Sequence, residues 1–147
     1  MAKVSVTKTI SAPAERVWAL VSEWGGTHKW IPGVGPVSVE GEGVGSVRSA
    51  DLDPATGFSG SISERLLAFD DVSMSFQYAA IGESPLPVQD YVATMKVSPS
   101  GNGESSVTWS STWEPLGRPE AEIREIFATL YNISLDNVEK AVGSRGA

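Results

Sequence analysis

The chain has 147 residues, enough for one domain with a sizeable core. Its formal net charge of −7 disfavours nucleic acid and anionic membrane surfaces as partners, because like charges repel. With no cysteine and a single histidine, His28, no metal site and no cofactor is expected. No apolar run approaches the roughly 20 residues of a membrane-spanning helix, and a cytoplasmic location is the simplest expectation.

The N-terminal segments predict one strand and two short helices. Residues 3–10, KVSVTKTI, alternate polar and apolar residues, which predicts a strand and not a signal peptide. The segment SAPAERVWALVSEWGG predicts a helix that begins near Pro13 and stops at Gly25 and Gly26. A second short helix is predicted through THKWI, before Pro32 ends it.

The rest of the chain predicts strands followed by one helix. From Pro32 to Pro115 about six strands are separated by Gly, Pro, Asp and Asn turn signals. The final segment, RPEAEIREIFATLYNISLDNVEKAVG, predicts a long amphipathic helix. Its predicted apolar face consists of Ile123, Phe127, Leu130, Ser134, Val138 and Ala141, widened by Ile126 and Ile133. Consecutive strands with a terminal helix indicate a single α+β domain over residues 1–147.

Residues 62–71, ISERLLAFDD, carry apolar residues on both faces of a strand and one charge on each face. At period two, Glu64 shares a face with Ile62, while Arg65 shares the other with Leu67 and Phe69. This pattern predicts a strand covered on both sides, with one charge directed inward.

These segments together resemble the START/birch-pollen-allergen-like superfamily, and within it the bacterial polyketide cyclase/dehydrase-like proteins. The resemblance rests on APAERVW, GVGSVRSADL, SERLLAFDD and the long C-terminal helix, and it covers nearly the whole chain. It implies a helix-grip fold, in which a curved antiparallel sheet of about seven strands wraps around that helix and encloses an apolar cavity. The superfamily includes carriers, receptors, cyclases, dehydratases and lyases, so function must be argued from the site.

Three polar residues are the candidate catalytic groups. The resemblance directs Glu64 inward and places Ala50 and Leu52 in the cavity lining, which brings Arg48 to the same face. A carboxyl desolvated in an apolar cavity can act as acid or base near neutral pH, and a guanidinium can bind a ligand oxygen. The alternatives are a structural ion pair between Arg48 and Glu64, or a solvent-exposed rim position for Arg48. Tyr91 aligns with a pocket tyrosine that could donate to a carbonyl, or it simply fills the cavity.

Two registers are possible for the strand predicted within VSMSFQYAAIG. The resemblance directs Gln77 and Ala79 inward and Phe76 and Tyr78 outward, where they would suit a homodimer interface. A one-residue slip would make Tyr78 the cavity residue instead.

Aromatic residues of the last strand and the helix predict a cage for a flat ring, with plain core packing as the alternative. The full set of candidate ligand contacts is Ala50, Leu52, Ile62, Gln77, Ala79, Trp109, Ser111, Trp113, Phe127, Leu130 and Tyr131.

The sequence therefore predicts a protein that binds a hydrophobic, aromatic or polyketide-like small molecule in an internal cavity. As an enzyme it would be a cofactor-independent cyclase or dehydratase. Glu64 would transfer protons, and Arg48 and Tyr91 would polarise an oxygen of the folded substrate. The competing prediction is a non-catalytic carrier or sensor of lipid-like ligands, and a third is a module that acts through a protein partner.

Overall fold

The computed structural model describes residues 1–143. In this part of the chain, seven strands form one antiparallel sheet. The strands are β1 (Ala2–Ile10), β2 (Ser38–Glu40), β3 (Val47–Leu52), β4 (Gly60–Asp70), β5 (Ser75–Ile81), β6 (Val88–Gly101) and β7 (Glu104–Pro115). The helices are α1 (Ala14–Val21), α2 (Glu120–Val142) and two short 3₁₀ turns, Thr27–Lys29 and Pro54–Thr56. None of the helices in the described residues is long and apolar enough to cross a membrane.

The sheet order is β1-β7-β6-β5-β4-β3-β2, so the first strand closes against the last. The side chains of β1 alternate between buried and exposed, as expected for a strand with one face on a core. The curved sheet wraps around α2, which confirms the predicted helix-grip fold and α+β class. Its two helical segments after β1 are α1 and the turn Thr27–Lys29.

The apolar face of α2 is rotated from the predicted one. The helix follows Pro119, whose fixed φ suits a helix start, and it buries Ile123, Phe127, Tyr131, Ser134, Leu135 and Val138. Tyr131 and Leu135 therefore occupy core positions that the sequence pattern assigned to Leu130 and Ala141. Leu130 is only half-buried and Ile133 remains 46% exposed. The helix thus has a second apolar stripe beside the one that packs in the core.

A β-bulge explains the apolar residues on both faces of residues 62–71. The pairing of β4 with β5 shifts between Leu66 and Ala68. Before the shift Leu66 faces the core, and after it Phe69 turns to the same side, where its ring lies 5.3 Å from that of Trp18. A bulge adds one residue to a strand and so reverses the alternation beyond it. Arg65 and Leu67 lie exposed on the outer face.

The structure corrects the predicted orientation of β5. Phe76 and Tyr78 are only 4% and 2% exposed, so they face the core, and Gln77 and Ala79 face outward. Tyr78 pairs with Leu66, and in an antiparallel sheet directly paired residues lie on the same face. The prediction of Gln77 and Ala79 as ligand contacts is therefore wrong. Phe76 and Tyr78 are also unavailable for the homodimer surface that was based on them.

Candidate functional site

A cavity of about 820 Å³ lies between α2 and the concave face of the sheet. Its inner end is formed by buried aromatic residues, among them Tyr78, Tyr91 and Trp109. Its mouth is formed by exposed or half-buried residues of the loops, of the end of β3 and of the second apolar stripe of α2. The apolar residues among them are Pro32, Val34, Leu52, Ala55, Phe58, Leu86, Ile126, Leu130 and Ile133. A cavity of this size and lining is typical of small-molecule sites.

A buried ion pair forms part of the cavity wall. Arg48 on β3 lies directly opposite Glu64 on β4, and their side chains are only 7% and 13% exposed. Arg48 Nε donates to Glu64 Oε1 at 2.8 Å, and Nη2 lies 2.8 Å from the same oxygen. Among the described residues none donates a hydrogen bond to Glu64 Oε2. One carboxylate oxygen is therefore fixed by the protein, while the other is available to a ligand.

The Arg48 guanidinium is covered on its faces as well as along its edge. It lies 3.8 Å from the centroid of the Trp24 ring and 4.7 Å from that of Tyr78. Its Nη1 donates to the backbone carbonyl of Trp24 at 3.3 Å. Cation–π contacts of this kind strengthen when the cation is desolvated. The arginine is thus held rigidly and serves to orient Glu64.

Buried hydroxyl groups form a network beside this pair. The Tyr131 hydroxyl donates to Ser111 Oγ at 2.8 Å and is hydrogen-bonded to the Tyr91 hydroxyl. Because Tyr131 has one proton and gives it to Ser111, Tyr91 is the donor to Tyr131. Trp109 Nε1 donates to the Tyr78 hydroxyl at 3.1 Å, so Tyr78 keeps its own proton for Tyr91 or for a ligand.

The environment keeps these phenols protonated. Burial raises the pKa of Tyr78 above its ordinary value, and the Glu64 carboxylate raises it further. Burial also raises the pKa values of Tyr91 and Tyr131, with neighbouring phenols adding to the effect. At neutral pH the three side chains are therefore hydrogen-bond donors and acceptors, and none of them is a base.

The structure brings most of the predicted site residues together around one cavity. Arg48, Glu64 and Tyr91 line the cavity, together with Ala50, Leu52, Ile62, Trp109, Phe127, Leu130 and Tyr131. Ser111 and Trp113 do not reach it. Ser111 lies behind Tyr131 as its hydrogen-bond acceptor, and Trp113 is fully buried against Phe127. Plain core packing, the alternative role for this strand, therefore holds for Trp113.

Several cavity and site residues were not among the sequence candidates. Trp24 comes from the loop after α1, and Phe58 and Leu86 come from loops whose sequence carries no periodic signal. Ile126 was part of the predicted helix face, but its spacing does not distinguish a cavity position from a core position. Among the described residues, no cluster of His, Cys, Asp or Glu could hold a metal ion.

Comparison with known proteins agrees with this architecture. Residues 1–143 match the sequence profile of the family described as polyketide cyclase / dehydrase and lipid transport. The chain belongs to this family. No curated protein sequence matches it significantly.

Solved structures with the same fold span proteins of different activity. The protein XoxI from Bacillus cereus has a TM-score of 0.86 at 26% identity, covering 97% of this chain and 96% of its own. The Zhui aromatase/cyclase from Streptomyces sp. R1128 has a TM-score of 0.74 at 18% identity, covering 95% and 90%. Norcoclaurine synthase from Thalictrum flavum has a TM-score of 0.70 at 20% identity, covering 95% and 92%. At these identities the last two matches show the fold alone.

Proposed function

We propose that this protein binds a flat, hydrophobic small molecule that carries a carbonyl or hydroxyl group. The observation that supports the proposal is a cavity of about 820 Å³ with an apolar mouth and polar groups at its inner end. The second apolar stripe of α2 remains partly exposed at the mouth, where a ligand would cover it. Apolar area removed from water in this way contributes about 25 cal/mol per Å².

The inner end would orient the ligand through its oxygen. Trp109 and Tyr131 stack on each other with their ring centroids 3.9 Å apart, and both side chains line the cavity. The aromatic surface that they leave open would suit a planar ligand. The Tyr78 hydroxyl can donate to a ligand carbonyl, and Glu64 Oε2 can accept from a ligand hydroxyl. A few convergent polar groups in an apolar cavity are the usual basis of small-molecule specificity.

Binding can be tested with acetylnaphthalene, a neutral aromatic ketone, by isothermal titration calorimetry. We expect saturable one-to-one binding to the wild-type protein. Ala50→Trp places an indole inside the cavity and should weaken binding at least about tenfold. Gln77→Trp adds the same indole to the outer face of the sheet and should leave binding unchanged. Equal affinities for the two variants would contradict binding in this cavity.

A second candidate function, acid–base catalysis of ring closure, is favoured by one observation. The cavity holds a carboxylate oxygen, Glu64 Oε2, that accepts no hydrogen bond from the described residues, on the strand next to the phenol of Tyr78. Glu64 Oε2 would remove a proton from the carbon next to a substrate carbonyl, and Tyr78 would donate a hydrogen bond to the resulting enolate oxygen.

The remaining steps need no other reagent. The enolate carbon attacks a second carbonyl of the folded substrate and forms the new carbon–carbon bond, and the alkoxide takes back the proton from Glu64. In a following dehydration Glu64 removes the next α proton, and the departing hydroxide takes it and leaves as water. Holding the chain folded in the cavity lowers the entropic cost of ring closure.

The proton-transfer step can be measured without knowing the natural substrate. Acetylnaphthalene exchanges its methyl protons in D₂O, and proton NMR follows the rate. The wild-type protein should accelerate this exchange, and Glu64→Gln should reduce the catalysed rate at least about a hundredfold. Glu83→Gln, in an exposed loop outside the cavity, is the matched control and should exchange like wild type. Binding without any acceleration would leave the carrier function and refute the catalytic one.

A further inference from the structure

The charged groups that line the cavity differ in whether they have an ionic partner. Two arginines, Arg48 and Arg118, and four carboxylates line it, which gives a net charge of −2. The carboxylates are Asp53, Glu64, Glu122 and Glu125. Which of these charges a ligand can reach determines the kind of polar end that the cavity accepts.

Arg48, the only arginine at the inner end of the cavity among the described residues, is not available to a ligand anion. Arg48 directs Nε and Nη2 at Glu64 and Nη1 at the Trp24 carbonyl, and the rings of Trp24 and Tyr78 lie close to its faces. A ligand carboxylate would have to displace Glu64 to reach it. Arg118 lies at the mouth, where its exposed side chain is 3.3 Å from Glu122 and 5.3 Å from the centroid of the Phe58 ring. In contact with water, this arginine offers little to a ligand charge buried at the inner end.

The carboxylates are only partly neutralised. Within residues 1–143, Glu125 and Asp53 make no ion pair, and both are exposed at the mouth. Asp53 Oδ1 accepts from the backbone N–H of Ala55, which does not neutralise its charge. Deeper in the cavity, Glu64 Oε2 also faces any ligand. A ligand would therefore pass acidic groups at the mouth and meet another at the inner end.

We propose that the cavity selects ligands whose polar end is neutral or cationic, such as a ketone, phenol, thioester or amine, and rejects free carboxylates. This inference rests on the proposed binding function. A carboxylate that reaches the inner end loses its hydration and finds no unpaired cation there, and a desolvated unpaired charge is costly. Repulsion by the acidic mouth adds to this cost and also slows entry.

A series of three naphthalenes, substituted at the same ring carbon, tests the selection by calorimetry. Naphthamide is neutral, naphthylmethylamine is cationic and naphthoate is anionic at neutral pH. We expect naphthoate to bind at least roughly tenfold more weakly than the amide, and the amine to bind at least as well as the amide. Naphthoate affinity equal to or above that of the amide would overturn the inference, while the amide's binding would leave the proposed function intact. If none of the three binds, both proposals fail.

Glu64→Gln tests whether the ion pair between Arg48 and Glu64 sets the preference for naphthamide over naphthoate. Without its counter-ion, Arg48 becomes the only unpaired charge at the inner end among the described residues. The ratio of naphthoate to naphthamide affinity should then rise about tenfold. Glu83→Gln is the control and should change neither affinity. An unchanged preference in a folded Glu64→Gln protein would show that Arg48 does not set the selection.

A second variant tests the mouth without touching the buried pair. Asp53→Asn combined with Glu125→Gln keeps the shapes of two exposed side chains and removes their charges. It should reduce the ratio of naphthamide affinity to naphthoate affinity about threefold. The effect should appear chiefly at low salt, where surface charges are least screened. An unchanged affinity ratio at low salt would show that the carboxylates of Asp53 and Glu125 do not contribute to the selection.

Discussion

Replacing Arg48 by methionine should be among the most damaging single changes in the protein. The substitution keeps much of the side-chain volume but leaves Glu64, only 13% exposed, without its counter-ion. Breaking a buried ion pair by removing one partner costs about 3–5 kcal/mol. Loss of the contacts with the Trp24 and Tyr78 rings adds about 1 kcal/mol. Since a domain of this size is stable by about 5–15 kcal/mol, the midpoint of unfolding should fall substantially.

The double variant separates the ion pair from the packing. Adding Glu64→Gln to Arg48→Met removes the stranded charge, so the pair of changes should cost only about 1–2 kcal/mol. The second substitution thus restores about 3–4 kcal/mol of the stability lost in the first. Urea unfolding followed by circular dichroism measures the wild type and the two variants. The dependence of the unfolding free energy on urea concentration should be the same in all three proteins. If Glu64→Gln further destabilises Arg48→Met, the two charges are not coupled as the structure indicates.

Three further predictions concern the buried aromatic residues and α2. All three tyrosines of the chain, Tyr78, Tyr91 and Tyr131, have raised pKa values, so the native protein should show little tyrosinate absorbance at pH 10–11. Because the folded pKa values exceed the unfolded value near 10, these groups contribute stability that is complete below that pH and is lost as the pH rises further. Early, gradual ionisation of folded protein would contradict their burial. Phe127→Ala should cost about 3–5 kcal/mol in urea unfolding, since the ring is 2% exposed in the core. Ile133→Ala, at 46% exposure, should cost less than about 0.5 kcal/mol, and a large loss there would place this residue in the core instead.

The order of elements could be predicted because each segment carries a local signal. Pro13 and Pro119 precede the two α-helices, and alternation predicts β1. The resemblance supplied the way in which the sheet wraps around the helix, which no local pattern contains. Strand alternation predicted one inward charge in this strand, and the resemblance assigned it to Glu64, which lies before the bulge.

The register of β5 could not be predicted from the resemblance, which placed Gln77 inward. Hydrophobicity alone favours Phe76 and Tyr78 as the inward pair, and the structure agrees with hydrophobicity. Nothing in the sequence locates the bulge after Leu66. This bulge determines which residue of β4 pairs with each residue of β5. Likewise, the Trp24 ring on Arg48 depends on a loop that meets the sheet only in the folded protein.

The two neighbouring stripes of α2 have different consequences for how this protein can evolve. Changes at Phe127 would be removed by selection for folding. Changes at Ile126 or Ile133 alter the cavity mouth at little cost in stability, because neither side chain is part of the core cluster. New ligand preferences can therefore arise by substitution along one side of a single helix, while the scaffold stays the same.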